Sequence, residues 1–192
     1  TMGETQFMEE IDSALVKIGH DDIKFSLISS YPSNNISTNV ALALKITGEN
    51  FIIPTACSAG NYSIGYSFDM IKNNKTSILL AGGVDAFSKV AFTGFGRLYA
   101  MAPQKCQPFD KNRKGMLLGE GAAILVLESL KSALERKANI YAEVLGYGLS
   151  CDAHHMTQPT ERGISKCMTK AMDEAGIGID DIDYISAHGT GT

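Results

Sequence analysis

An α/β fold is predicted by three features of this 192-residue chain. Segments of helical period alternate with short apolar segments of strand type along most of its length. Two near-continuous apolar runs, "TSILLAGG" and "AAILVLES", have the composition of strands covered on both faces. No short-period repeat or low-complexity tract interrupts the pattern.

Taken in order, Phe7, Met8, Ile11, Leu15 and Ile18 fall on one helical face, and "KFSLISSY" then reads as a strand. "NNISTNVALALKI" continues as a helix and "NFIIPT" as a short buried strand. Residues 59–72 form a helix buried on most sides, in which Gly60 and Gly65 allow close backbone approach. The two apolar runs belong in the middle of a sheet. "SLKSALERKAN" is a helix capped by Ser129, and "NIYAEVLGYGLS" follows as a strand. "TERGISKCMTKAMDEAG" places Ile164, Cys167, Met168, Ala171, Met172 and Ala175 on one face before Gly176 ends the helix, which puts Cys167 in the core. "DIDYISAHGTGT" reads as a strand running into a glycine-rich loop.

With 44% hydrophobic and 20% charged residues, the chain is rich enough for one large domain or two halves sharing a core. Seventeen Lys and Arg against twenty-one Asp and Glu give a net charge of −4, with no block of like charges to hold nucleic acid or a membrane surface. No apolar stretch reaches the roughly 18 residues of a membrane span. "TMGETQFMEE" lacks the basic flank and apolar centre of a secretory signal, so a cytoplasmic protein is expected. Cys57, Cys106, Cys151 and Cys167 form no C-x-x-C pair and are expected to be free thiols, as suits a reducing compartment. A chain that opens on Thr1 and stops at "HGTGT" reads as a piece of something longer.

The chemistry concentrates at "IIPTACSAGNYSIG". A strand, a tight turn at 56–58 and a helix from Ala59 would set the Cys57 thiol at a helix N-terminus. There the dipole and unpaired N–H groups favour thiolate over thiol, and the same amides can hold an oxyanion. The plainer alternative is that Cys57 is one more buried small residue. "ACSAG" also resembles a G-x-S-x-G elbow with Ser58 as nucleophile, but Ala56 replaces its first glycine, so the turn is less well served.

"TACSAG", "LAGGVDAF", "QPFDKNRKGMLLGEGAAILVLES" and "AHGTGT", in this order, resemble the β-ketoacyl synthases, the condensing enzymes of fatty acid and polyketide synthesis. The similarity is strongest to elongating synthases that act on acyl carrier proteins, and it runs along essentially the whole chain. It implies a thiolase-like duplicated α/β fold, a homodimer, an acyl carrier protein as partner and a Claisen condensation with no metal and no organic cofactor. It further implies that residues 1–139 belong to the half carrying the nucleophile and 140–192 to the start of the half carrying the first active-site histidine.

In the same resemblance Cys57 is the cysteine that accepts the acyl chain, and His188 the histidine that helps decarboxylate the malonyl donor. Thr190 and Thr192 match the threonines that hydrogen-bond the phosphopantetheine amides. Phe95 and Met2 fall where similar enzymes line the acyl tunnel. The family's second histidine, its lysine and a loop with a gating phenylalanine follow H-G-T-G-T, so this chain is expected to hold the nucleophile and one histidine of a larger site. A thiol suits the task because its acyl thioester is reactive enough for attack by carbon, and an imidazole N–H can stabilise the enolate formed as carbon dioxide leaves.

Other signals are weaker. "CDAHHM" offers Cys151, His154 and His155, too few ligands for zinc. "DKNRKG" places Asp110, Asn112 and Gly115 in calcium-loop register, but Lys114 occupies a ligand position and Gly121 stands where the closing Glu belongs. Lys105, Lys111, Arg113 and Lys114 make a basic cluster that could meet an acidic carrier protein or simply be a solvated loop. No complete nucleotide-binding glycine motif occurs, and His20 in "GHDD" reads as a surface residue. Two rivals to a condensing enzyme remain: a relative of the same fold that transfers or cleaves acyl thioesters without elongation, and a non-elongating partner subunit of a ketosynthase.

Overall fold

A computed structural model describes residues 5–19, 23–30, 32–155 and 158–192. Met2 and His20 lie outside them. The elements are helices α1 (Thr5–Ile18), α2 (Phe25–Ser30), α3 (Asn35–Leu44) and α4 (Ala59–Lys72), strand β1 (Ile78–Asp85), helix α5 (Lys89–Arg97), strand β2 (Gly121–Glu128), and helices α6 (Leu130–Glu135) and α7 (Glu161–Ala175). They fall into two compact units: Thr1–Gly60 with Gly83–Ala123 and His188–Thr192, and Asn61–Gly82 with Ile124–Ala187. No described helix is long and apolar enough to cross a membrane.

In the first unit α1 packs against α2 and α5. Its apolar face, with Phe7 and Ile18, borders a groove of about 400 Å³ whose other wall includes Ile23 and Leu27. The segment "KFSLISSY", expected as a strand, is helical as α2. Its serines explain the difference: Ser29 and Ser30 Oγ donate to the Ser26 carbonyl at 3.0 and 2.8 Å, and Asn35 Nδ2 donates to the Ser29 carbonyl at 2.7 Å. Such local bonds suit a helical turn, and a short apolar run does not separate helix from strand by periodicity. Helix α3 forms as expected and stops at Lys45, whose φ is +55°. "NFIIPT" belongs to no strand, and Phe51 is 45% exposed, contrary to the buried strand expected.

Helix α5 has no counterpart in the sequence reading, because Gly94 and Gly96 interrupt its helical pattern. Its start is strongly held. The fully buried Ser88 hydroxyl accepts from Ala91 N–H at 3.0 Å, and Glu9 on α1 accepts from Val90 N–H at 2.7 Å. Gln6 donates to the Phe87 carbonyl, and Glu120 accepts from Phe87 N–H at 3.2 Å.

β1 and β2 form a two-stranded antiparallel sheet. β1 is largely covered, but Ile124, Leu125 and Val126 of β2 are about half exposed. The position in the middle of a sheet, expected for both runs, is therefore not met among the described residues.

In the second unit most of α4 is covered, as expected. Gly65 meets the ring of Tyr147, where an added Cβ would come within 2.5 Å, whereas Gly60 faces open space. Tyr147 stacks edge-on against Phe68 with centroids 6.2 Å apart, and Lys72 lies 5.1 Å over the same Phe68 ring and pairs with Glu174. Ser129 caps α6, and Arg136 holds Glu128 through Nε at 2.9 and 3.0 Å, which keeps that carboxyl below the usual range.

Thr160 caps α7 by accepting from Gly163 N–H at 3.1 Å, and Gly176, at φ +69°, closes it. Cys167 is half-buried instead of fully in the core, and Ile164 and Met168 on its face are 47% and 46% exposed. "NIYAEVLGYGLS", expected as a strand, has no ladder among the described residues. Side chains of α7 take its carbonyls instead: Cys167 Sγ donates to Gly148 O and Lys170 Nζ to Leu149 O, both at 2.8 Å. Two glycines admit the helix, since a Cβ on Gly148 would sit 2.0 Å from the Cys167 carbonyl and one on Gly146 2.8 Å from Ala175 N. "DIDYISA" likewise forms no strand, and Tyr184 and Ile185 are 82% and 61% exposed.

Two predictions follow from this second unit. Gly148→Ala must push α7 away and should destabilise the protein by about 1–3 kcal/mol, measured by chemical denaturation. Tyr147 donates to Asp69 Oδ2 at 2.5 Å, and this bond, together with burial, raises its pKa to about 12. An unfolded tyrosine ionises near about 10, so the stabilisation is complete below that pH and is lost as pH rises through about 12. In an absorbance titration Tyr147→Phe should delete the last phenolate step.

Candidate active site

The Cys57 segment is built from the turn upward. Residues Ala56–Ser58 form one 3-10 turn that runs directly into α4. Ser58 N–H and Ser58 Oγ both point back to the Thr55 carbonyl, at 3.2 and 2.8 Å. To close this turn Ala56 adopts φ +48°, a left-handed conformation costly for a residue with a Cβ. The result is an elbow that presents Cys57, exposed and free, ahead of a 14-residue helix. Backbone N–H groups at a helix N-terminus can stabilise a developing oxyanion. Ser58, the rival nucleophile, instead spends its hydroxyl proton on the turn.

The second segment is the loop His188–Thr192, in the same compact unit as Cys57. Gly189 and Gly191 have φ of +55° and +78°, so the loop turns twice in the left-handed region. Its backbone rests on the 106–115 loop: Gly115 N–H donates to Gly191 O at 2.9 Å, Cys106 Sγ to Thr190 O at 3.2 Å, and Arg113 Nε to Thr192 O at 3.2 Å. Gly115 and Gly191 meet without side chains. A Cβ on Gly191 would lie 2.9 Å from Gly115 O, and one on Gly115 would lie 2.3 Å from Ala100 O. The hydroxyls of Thr190 and Thr192 are 2.6 Å apart, and His188 is exposed.

Of the residues singled out in the sequence, Cys57, Phe95, His188, Thr190 and Thr192 thus belong to one unit, and Thr190 and Thr192 touch directly. Phe95 is half-buried on α5. The sequence reading missed Cys106, Arg113 and Gly115 as supports of the loop. "QPFDKNRKG" carries them, but nothing local in it points to residues far along the chain. In the structure Asp110 Oδ1 accepts from Asn112 N–H at 2.6 Å, an Asx turn, and Lys105, Lys111, Arg113 and Lys114 are exposed.

In "CDAHHM", Asp152 braces the start of α7, accepting from Thr160 N–H at 2.7 Å and the Thr160 hydroxyl at 3.0 Å. The Thr160 N–H, followed by that of His154, holds the Asp152 carboxyl below its usual pKa. Cys151, His154 and His155 are all exposed, and no metal-binding group of three such side chains occurs among the described residues.

An exposed cysteine on a left-handed elbow and a twice-turned His-Gly-Thr-Gly-Thr loop thus share one unit of an α/β chain. The chain belongs to the β-ketoacyl synthase family: residues 2–133 match the family's "Beta-ketoacyl synthase, N-terminal domain" and residues 141–192 its "Beta-ketoacyl synthase, C-terminal domain". It is 38% identical over 200 residues to "3-oxoacyl-[acyl-carrier-protein] synthase 2" of Coxiella burnetii, covering 100% of this chain and 48% of that protein. The solved "ishigamide ketosynthase/chain length factor" superimposes with a TM-score of 0.97 at 46% identity, over 100% of this chain and 48% of that one. A ketosynthase solved as "type II PKS acyl-carrier protein in complex with its ketosynthase bound to the hexaketide" gives a TM-score of 0.90 at 29% identity, over 97% and 50% of the two chains. The fold is that of the thiolase-like ketosynthases, and the chain spans about half the length of the relatives it matches.

Exposure sets an order of thiol reactivity. Brief alkylation followed by peptide mass mapping should label Cys57, Cys106 and Cys151 well before the half-buried Cys167.

Proposed function

We propose that this chain carries the acyl-accepting part of a β-ketoacyl synthase that performs decarboxylative Claisen condensation on carrier-bound substrates. The observation that carries the proposal is the exposed Cys57 on its left-handed turn at the start of α4, in one unit with the His188 loop.

The Cys57 thiolate attacks the carbonyl carbon of an acyl-carrier thioester, and the carrier thiol leaves. Malonyl-carrier protein then loses carbon dioxide, and the electron pair of the broken C–C bond passes into a thioester enolate. His188 donates a hydrogen bond to the enolate oxygen. The enolate carbon attacks the Cys57 acyl carbonyl, the C–S bond breaks, and the thiolate is regenerated with a 3-ketoacyl-carrier product.

The mutually bonded Thr190 and Thr192 hydroxyls keep one donor hydrogen and free lone pairs, a set that matches an amide of the phosphopantetheine arm. Phe95 lines the acyl tunnel in this reading. No metal or organic cofactor takes part. The working form is a cytoplasmic homodimer; within each chain residues 1–139 belong to the half that carries the nucleophile and 140–192 to the start of the half that carries the first active-site histidine, and the Lys105–Lys114 basic loop faces an acidic carrier protein. The likeness to the Coxiella burnetii 3-oxoacyl-[acyl-carrier-protein] synthase 2 and to the ketosynthase solved in complex with its acyl-carrier protein supports this reading.

In intact-mass spectra, the protein in its full chain should gain one acyl group from an acylated carrier protein, and Cys57→Ala should gain none and lose condensation by about a thousandfold or more. His188→Ala should still acylate but condense about 10²–10³-fold more slowly. Acylation without two-carbon extension would instead support a transferring or cleaving relative. No acylation at all would support a non-elongating partner subunit of the kind named with the ishigamide ketosynthase.

A further inference from the structure

We infer that Cys106 is a positioning residue for the donor-substrate arm, acting through the Thr190 carbonyl; the inference rests on the synthase reading above. Thr190 lies between two left-handed glycines, Gly189 and Gly191 at φ +55° and +78°, so its own backbone does little to fix its direction. External contacts fix it instead. The Gly191 carbonyl is held by Gly115 N–H at 2.9 Å, and the adjacent Thr190 carbonyl receives the Cys106 thiol at 3.2 Å. The contact is close along its length, since a Cβ on Gly191 would lie 3.5 Å from Cys106 Sγ and 3.4 Å from Gln107 N.

Holding two successive carbonyls fixes the orientation of the backbone from which the Thr190 hydroxyl leaves. That hydroxyl is 2.6 Å from the Thr192 hydroxyl, and the pair forms the donor–acceptor set offered to a substrate amide. Cys106 is exposed and touches none of the reacting atoms in the proposed mechanism. Its removal should loosen this amide-binding pair and leave the chemistry at Cys57 unchanged.

The test uses the full chain, malonyl-carrier protein as the varied substrate, and a saturating acyl donor. Cys106→Val and Cys106→Ala delete the S–H donor, one with added branching and the other with no added bulk. Each should raise KM for malonyl-carrier protein about fivefold, the scale of one hydrogen bond, with kcat within about twofold. Cys106→Ser, which keeps a donor, should restore KM to near the wild-type value. Because the effect runs through Thr190, Cys106→Val combined with Thr190→Val should raise KM no further than Thr190→Val alone.

An unchanged KM in both deletion variants, a serine variant as impaired as the valine one, or multiplying effects in the double variant would each overturn the inference while leaving the synthase reading intact. A fall in kcat with KM unmoved would mark a general structural role and overturn it equally. A wild-type full chain that extends no acyl group overturns the synthase reading, and this inference falls with it.

Discussion

The contact on which the candidate site depends is a backbone hydrogen bond between two glycines, Gly115 N–H to Gly191 O. It ties the His188–Thr192 segment into the unit that holds Cys57, although the chain between them contributes all of the other unit. The two backbones can approach closely enough to form it because neither residue has a side chain, and on either glycine a Cβ would meet backbone oxygen. Side chains then refine what the glycines permit: Cys106 and Arg113 take the two flanking carbonyls. The nucleophile is presented by a different device, a turn in which an alanine accepts left-handed geometry at a cost of order 1–3 kcal/mol.

Glycines do comparable work in the second unit. Gly65 receives the Tyr147 ring, and Gly146 and Gly148 let α7 lie directly on the 139–150 segment. Polar bonds then fix the position, with Tyr147 on Asp69, Cys167 on Gly148 and Ser150 on the Gly163 carbonyl. Few side chains here are fully buried, so the unit is held by close backbone approach and directed hydrogen bonds more than by a deep apolar core.

What the sequence made legible was what is decided locally. The cap at Ser129, the stop at Gly176 and the helical span of α4 depend on residues a few positions apart, and each was found where the pattern predicted it; the cap at Thr160 is equally local. The three strands that did not appear, at 50–55, 139–150 and 182–187, are apolar segments whose identity depends on a ladder partner elsewhere in the chain. In 139–150 the carbonyls are instead taken by a helix, which no alternation of side chains could announce. Serine back-bonding turned α2 into a helix, and Gly94 and Gly96 concealed α5. At the site, Cys57 and His188 were legible because their motifs are contiguous. Cys106 and Gly115 were not, because their partners lie some 80 residues away in a separate motif.

The β1–β2 pair has a further consequence for handling the protein. Each strand has one edge without a ladder neighbour among the described residues, and "ILLAGGVD" and "GAAILVLE" carry no charge before their final residue. Unpaired N–H and C=O groups along an apolar edge are a template for strand addition by another molecule. Lys or Pro would blunt such an edge, and neither is present in either strand. Concentrating this chain alone therefore favours intermolecular sheet growth from the strand pair, a tendency that dilution and any strand covering β2 would both suppress.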